Sequence, residues 1–225
     1  DASSPATRWM NASARPGHRA VRERHFHPDY EIPRAAVALP ARTAVVGGDD
    51  AANGGVVAER RVEGKPLPLL PQGEARARAL APVLAREEFQ LVLTSPLQRA
   101  RRTAELTGFG ARAQVDPNLR EWDYGDYEGL TTEQIHALRP GWQLWSAPCP
   151  NGESMDAVAE RCKDVVARVE SVPGNVLLFA HGHVFRMLAA MWLDLPEARG
   201  RSFGLKAGSI SVLGYEHGNR VIWQW

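Results

Sequence analysis

The sequence is poor in features that would each point to a particular class of protein. Its 225 residues include two cysteines, Cys149 and Cys162, and no CxxC or Cys/His cluster, so neither a disulfide framework nor a zinc site is expected. No apolar run approaches the roughly 20 residues of a membrane span, and the polar N-terminus has no signal-peptide pattern. The net charge of +1 indicates neither a nucleic-acid nor a membrane partner. We therefore expect a cytoplasmic protein with no metal and no cofactor.

The beginning of the chain lacks a periodic pattern. Residues 1–40 carry scattered Arg, Ala and Pro, so we interpret them as an irregular N-terminal arm. Residues 41–225 are predicted to form one α/β domain, because the chain is long enough for one substantial core and short for two. A weak strand candidate lies around Thr43–Val46, before a stretch of small residues with two Gly-Gly pairs.

From about Arg61 onward, strand patterns and helix patterns alternate. The apolar runs Gln90–Thr94 and Val176–Ala180 have the length of strands, and each leads directly into a helical pattern. Ser95 is predicted to cap the first of these helices, with Pro96 at its first position. Such alternation favours a three-layer α/β/α fold with a mixed, mostly parallel sheet.

Further elements are predicted before, between and after these two units. One helix precedes Gln90, a short strand is expected near Ala113–Val115, a short helix begins at Thr131, and a hairpin turns at His217-Gly218-Asn219, which adds antiparallel edge strands. A long helix follows the sequence NGES. Its apolar stripe comprises Met155, Val158, Cys162, Val165, Val166 and Val169.

Polar residues collect at three junctions, two of which directly follow predicted strands. Ser95 and Arg99 follow the first strand, where helix N–H groups and a guanidinium can bind an anion; the alternative is a plain helix cap with surface arginines. His181 follows the second strand and precedes Gly182; the alternative is a capping histidine. Glu121 lies in an aromatic loop and could act as a general acid; the alternative is a solvated carboxylate.

Taken together and in order, the segments SPLQRARRTAE, LREWDYGDYEG, GES and FAHGHVFR resemble the histidine phosphatase superfamily, the phosphoglycerate-mutase-like clan. The resemblance covers roughly Arg61 to Trp225 and is greatest to small bacterial acid phosphatases. It implies a metal-free reaction in which a histidine of an Arg-His-Gly motif attacks phosphorus and water then releases phosphate from phosphohistidine.

By motif, the resemblance assigns roles to residues of this chain. It implies that Arg99 clamps the phosphate, that His181 bonds the transferring group and that Glu121 donates the proton. We expect Gly182 and His183, at the start of the second helix, to complete the phosphate site. The expected rim of the substrate pocket consists of Ser95, Trp122, Gly152, Glu153 and Ser154.

The Arg-His-Gly motif is missing from the place where the resemblance puts it. Residues 47–53 read GGDDAAN, so the nucleophile and the first phosphate clamp are absent there. The pair Arg24-His25 lies too far upstream and follows no apolar strand. Two explanations remain: a pseudophosphatase, or an altered reading of the chain before about Arg61, such as a frameshift. We favour the altered reading, because Arg99, Glu121 and His181 all stand at motif positions.

The sequence therefore predicts a phosphomonoester hydrolase whose activity is impaired in this chain. The alternative is an inactive pseudophosphatase that binds a phosphorylated ligand or a protein partner. We expect a small phosphorylated molecule as the ligand. The C-terminal strand, which ends with Ile222, Trp223 and Trp225, is a candidate edge for a homodimer.

Overall fold

A computed structural model describes residues 43–47, as backbone, and residues 68–225. Within these ranges the strands are β1 (Thr43–Gly47), β2 (Leu91–Thr94), β3 (Gln114–Val115), β4 (Val176–Ala180), β5 (Ile210–Glu216) and β6 (Asn219–Gln224). The α-helices are α1 (Pro71–Leu84), α2 (Gln98–Leu106), α3 (Thr132–Leu138), α4 (Met155–Glu170) and α5 (Gly182–Trp192).

The six strands form one mixed sheet in the order β3-β2-β4-β1-β5-β6. β3, β2, β4 and β1 run parallel, whereas β5 runs antiparallel to β1 and β6 antiparallel to β5. The predicted mixed, mostly parallel sheet is confirmed. The C-terminal hairpin differs from the expectation in one respect, because only β6 lies at the edge while β5 lies between β1 and β6.

Helices cover both faces of this sheet, which explains the apolar sequence of β4. All five residues of β4 are buried, as expected for a central strand with helices on either side. Leu177 and Phe179 pack towards α1 and α2, and Leu178 packs with α4 and α5. Burial of a large apolar side chain contributes about 1.5–3 kcal/mol. The five residues of β4 are therefore a main source of stability beneath the site.

Local signals position the helices that border the site. Ser154 caps α4, where its hydroxyl accepts a hydrogen bond from the backbone N–H of Ala157 at 3.1 Å. The prediction for Ser95 was wrong, because α2 begins at Gln98 with Leu97 at its N-cap. The Ser95 hydroxyl instead accepts from the Leu97 N–H at 3.2 Å and contacts His181, so it is engaged before the helix starts.

Candidate active site

The carboxyl ends of β2 and β4 bring two of the predicted junctions together. Thr94 pairs with Phe179 at the ends of these parallel strands, so Ser95 and His181 emerge at the same edge of the sheet. β1 ends there too, where Gly47 pairs with Ala180. The rest of the segment in which the nucleophile was expected, residues 48–53, lies outside the described residues, and so does Arg24-His25.

His181 is held at the centre of this edge. Its ring is fully buried, and its Nε2 atom lies 2.7 Å from the hydroxyl oxygen of Ser95. The Ser95 hydroxyl also accepts from the N–H of Leu97, so one oxygen joins the end of β2, the start of α2 and the imidazole. Ser95 is itself fully buried and thus belongs to the floor of the site, which differs from its predicted place on the rim.

Glu121 reaches the same region from the loop after β3 and caps α5. Its Oε1 atom accepts from the backbone N–H groups of Trp122 at 3.0 Å and Val184 at 2.9 Å. Its Oε2 atom accepts from the backbone N–H of His183 at 3.1 Å. His181, the N-cap residue of α5, makes no side-chain cap bond, so the carboxylate of Glu121 supplies the cap from another part of the chain.

Because Glu121 caps α5, His183 has a different role from the one expected. We expected its helix-start position to contribute to the phosphate site, but its backbone N–H already donates to Glu121. Its Nδ1 atom lies 2.6 Å from the hydroxyl oxygen of Tyr124, and its ring packs against the rings of Tyr124 and Trp145. His183 therefore holds the Glu121 side of the site. Gly182, the first residue of α5, lies directly after His181.

A cleft of about 420 Å³ opens beside Glu121. Arg99, in the first turn of α2, lines this cleft and is 9% exposed. The residues that line the cleft are Leu97, Arg99, Arg120, Glu121, Trp122, Asp123, Gly125 and Glu128. The structure thus brings Arg99 and Glu121 to one cavity, with Trp122 as a mostly buried wall.

The GES segment supports the loop of Glu121 through its backbone. The N–H of Glu153 donates to the carbonyl of Asp123 at 2.9 Å, and the indole N–H of Trp122 donates to the carbonyl of Glu153 at 3.0 Å. Gly152 packs so closely that a Cβ atom there would lie 2.4 Å from the carbonyl oxygen of Asp123. Glycine is therefore required at this position by the close approach of two loops.

Among the described residues, no group of three or more His, Cys, Asp and Glu side chains could hold a metal ion. The part of the chain that the structure describes also contains no helix with the length and apolar character needed to cross a membrane.

Sequence reasoning did not find the contacts that join these junctions. Ser95 and His181 are separated by 86 positions, and Glu121 and Val184 by 63. The one sequence signal was that each junction follows a strand or a loop at the same predicted edge of the sheet.

Comparison with known proteins agrees with this geometry. The model of the histidine phosphatase superfamily (branch 1) matches residues 55–225, which begin just after residues 47–53. An acid phosphatase of Mycobacterium tuberculosis is 38% identical over 167 residues, covering 72% of this chain and 82% of that protein.

Solved structures show the same fold. The product of an open reading frame of Mycobacterium tuberculosis superposes with a TM-score of 0.70 at 33% identity, covering 81% of this chain and 95% of the other. A mycobacterial glucosyl-3-phosphoglycerate phosphatase in complex with VO3 has a TM-score of 0.69 at 31% identity, covering 84% and 98%. The described fold is the predicted α/β, phosphoglycerate-mutase-like one, and the chain belongs to the histidine phosphatase superfamily.

Proposed function

We propose that this chain carries the phosphomonoester site of a histidine phosphatase and that its turnover is impaired. The observation that supports the site most strongly is that Arg99 and Glu121 line one cleft, while Glu121 caps α5, the helix that directly follows His181. Small phosphorylated molecules are the proposed ligands, since its relatives include a glucosyl-3-phosphoglycerate phosphatase and an adenosylcobalamin/alpha-ribazole phosphatase.

The phosphoryl group is assigned to Arg99, His181 and Gly182, the first residue of α5. Arg99 supplies a fixed positive charge at the cleft, and a guanidinium can bond two phosphoryl oxygens at once. The imidazole of His181 is oriented by its hydrogen bond to the hydroxyl of Ser95. Fixed donors of this kind stabilise the charge on a transferring phosphoryl group, so we propose a reaction that does not depend on a metal ion.

Glu121 is assigned as the proton donor to the leaving oxygen, and its bonding favours one oxygen for that role. Oε1 accepts two backbone hydrogen bonds, whereas Oε2 accepts one. The second acceptor position of Oε2 is therefore the place for a proton that a leaving alkoxide can take. His183 Nδ1 lies 4.0 Å from this oxygen and faces it from α5.

Impairment is proposed from the sequence, which contains no Arg-His-Gly segment. Loss of a covalent nucleophile removes several orders of magnitude in rate, while the binding groups can persist. The second candidate function, a pseudophosphatase that binds a phosphorylated ligand or protein without turnover, is supported by the same absence.

Hydrolysis of p-nitrophenyl phosphate with a chelator present, together with thermal unfolding in phosphate or vanadate, tests this proposal. The variants are His181→Ala and, as a matched control on the C-terminal hairpin, His217→Asn. We expect turnover near the detection limit and a ligand-induced rise in melting temperature that persists in His217→Asn and is lost in His181→Ala.

Each other outcome corrects a different part of the proposal. Efficient turnover abolished by His181→Ala would show that a nucleophile is present, and His25 would be the next residue to replace. Neither turnover nor a rise in melting temperature would contradict the assignment of the phosphate site itself.

We also propose a cytoplasmic location and a homodimer that pairs along β6. Both cysteines are free thiols, in keeping with a reducing compartment. β6 is an edge strand, and Trp223 within it is 46% exposed. Sedimentation of the wild type and of Trp223→Lys tests the pairing: a dimer that dissociates in the variant supports it, and a wild-type monomer contradicts it.

A further inference from the structure

Arg161, in the second turn of α4, makes four side-chain hydrogen bonds. Its Nε and Nη2 atoms bond the two carboxylate oxygens of Glu153, each at 2.9 Å. Its Nη1 atom donates to the backbone carbonyls of Asn118 and Arg120, each at 2.7 Å. The side chain is 12% exposed, so these four bonds form largely out of water.

Glu153, which is held by Arg161, in turn bonds the loop that contains Glu121. Its Oε2 atom, which already bonds Arg161, also accepts from the backbone N–H of Asp123 at 3.0 Å. Its backbone N–H and carbonyl bond Asp123 and Trp122, respectively. A carboxylate shared between a bidentate guanidinium and a backbone N–H has one geometry in which all its bonds are satisfied.

The residues that Arg161 and Glu153 bond lie both before and after Glu121 in the sequence. Arg161 fixes the carbonyls of Asn118 and Arg120 on one side, and Glu153 fixes Trp122 and Asp123 on the other. Glu121 itself bonds to α5 through its carboxylate. The main chain around the carboxylate is thus tied to α4, while the carboxylate is tied to α5.

We propose that Arg161 is a positioning residue that sets where Oε2 of Glu121 stands in the cleft. The proposal rests on the function proposed above, because it assumes that Oε2 faces the leaving oxygen. Arginine is required for this task because its planar fork meets one carboxylate and two carbonyls together, whereas a lysine ammonium reaches fewer of them in fixed directions. Removal of the fork leaves the loop free to shift, and misplacement by about 1 Å can cost a factor on the order of 100 in a catalytic site.

The test compares Arg161→Met with Arg161→Lys and with Arg220→Met. Arg220 is a matched control because it also bonds a glutamate of α4, Glu170, with Nε and Nη2 at 2.9 and 2.8 Å, and it does not line the cleft. The measurements are the dissociation constants of vanadate and phosphate, the melting temperature, and the ¹⁵N-¹H resonances of the Trp122 indole and of the His183 and Val184 amides.

We expect Arg161→Met to weaken vanadate binding by about ten-fold or more, with a smaller effect on phosphate. It should also shift the Trp122, His183 and Val184 resonances. Arg161→Lys should recover part of both effects, and Arg220→Met should leave both unchanged. Unaltered resonances and affinity in a folded Arg161→Met protein would overturn the proposal.

The design separates this proposal from the one on which it rests. If the wild type binds neither anion, the phosphate site is wrong, and the three resonances still decide whether Arg161 positions Glu121. If Arg161→Met does not fold, the same resonances and anion affinities are measured for Arg161→Lys and Glu153→Gln and compared with those of the wild type. Normal resonances in both of those variants would then contradict the proposal.

Discussion

Two cavities of similar size differ in how their charged residues are held. The cleft beside Glu121 measures about 420 Å³, and a groove along the second half of α4 measures about 380 Å³. Both are lined by arginine and carboxylate side chains. In the cleft, Glu121 bonds three backbone N–H groups, and its loop is tied by Arg161. In the groove, Arg220 bonds the side chains of Glu170 and Asp194 near the surface.

The size and charge of a cavity alone therefore do not identify a functional site. Charges that are anchored to backbone groups stay where a reacting atom needs them, whereas side-chain pairs near water rearrange at little cost. The same contrast predicts where mutations matter for stability. Replacements at the cleft should be costly because they leave buried backbone donors without partners, and replacements at the groove should be mild.

The largest effect is expected for Glu121→Gln. The amide NH2 of glutamine would face at least one of the N–H groups that the carboxylate accepts, so a buried donor loses its partner. Hydrogen bonds to charged groups contribute about 1.5–3 kcal/mol each, and we expect a total loss of about 2–4 kcal/mol in the free energy of unfolding. Urea denaturation measures it, and a loss below about 0.5 kcal/mol would show that the carboxylate does not hold α5.

A smaller effect is expected for Gly200→Ala, behind the aromatic wall of the site. A Cβ atom at Gly200 would lie 2.4 Å from the ring of Trp145, which packs edge-on against Trp122. Overpacking of this kind costs about 1–3 kcal/mol. The control is Gly204→Ala, where no atom lies within 4 Å of the added carbon. Equal melting temperatures of the two variants would contradict this packing.

Alkaline pH should destabilise the fold because its two cysteine thiols are buried. Burial raises the pKa of Cys162 to about 12 and that of Cys149 to about 11, so both stay protonated in the fold. Unfolded thiols ionise near pH 8.5, so each cysteine should lower the free energy of unfolding by about 2 kcal/mol as the pH rises to about 10. At pH 8 a thiol reagent should label neither cysteine until the chain unfolds. Rapid labelling of the native protein would contradict the burial of both.

The smallest effect is expected in the groove, for Glu170→Gln. Burial alone would raise the pKa of Glu170, but hydrogen bonds from Tyr215 and Arg220 hold it below its ordinary value. Because the pKa of Glu170 is lower in the folded state than in the unfolded state, its ionised form stabilises the fold at pH values above the unfolded pKa. This stabilisation is lost as the pH falls through the folded pKa. The variant should lose less than about 1 kcal/mol at pH 7, and the difference from wild type should shrink in acid. A loss equal to that of Glu121→Gln would erase the contrast between the two cavities.

The sequence predicted those features whose cause is local. The long helix after NGES, the short helix at Thr131 and the hairpin at His217-Gly218 each depend on neighbours a few positions apart. Strand and helix alternation predicted the layers for the same reason. Family resemblance, and not periodicity, supplied the roles of Arg99, Glu121 and His181.

The supporting contacts of the site could not be predicted, because they join distant segments. Arg161 bonds carbonyls 41 and 43 positions away, and Glu121 caps a helix 63 positions away. No pattern in either segment indicates its partner. The helix-cap prediction for Ser95 was wrong for the same reason, because its hydroxyl bonds His181, which lies 86 positions away.

Calorimetric titration of orthovanadate into the wild type, Arg99→Met and Arg101→Met tests the central claim most directly. Arg101 is the matched control because it lies exposed on the same helix, outside the cleft. We expect orthovanadate to bind the wild type and Arg101→Met, and we expect this binding to be lost in Arg99→Met. Equal binding to all three proteins, or binding to none, would contradict the claim that this cleft is the phosphate site.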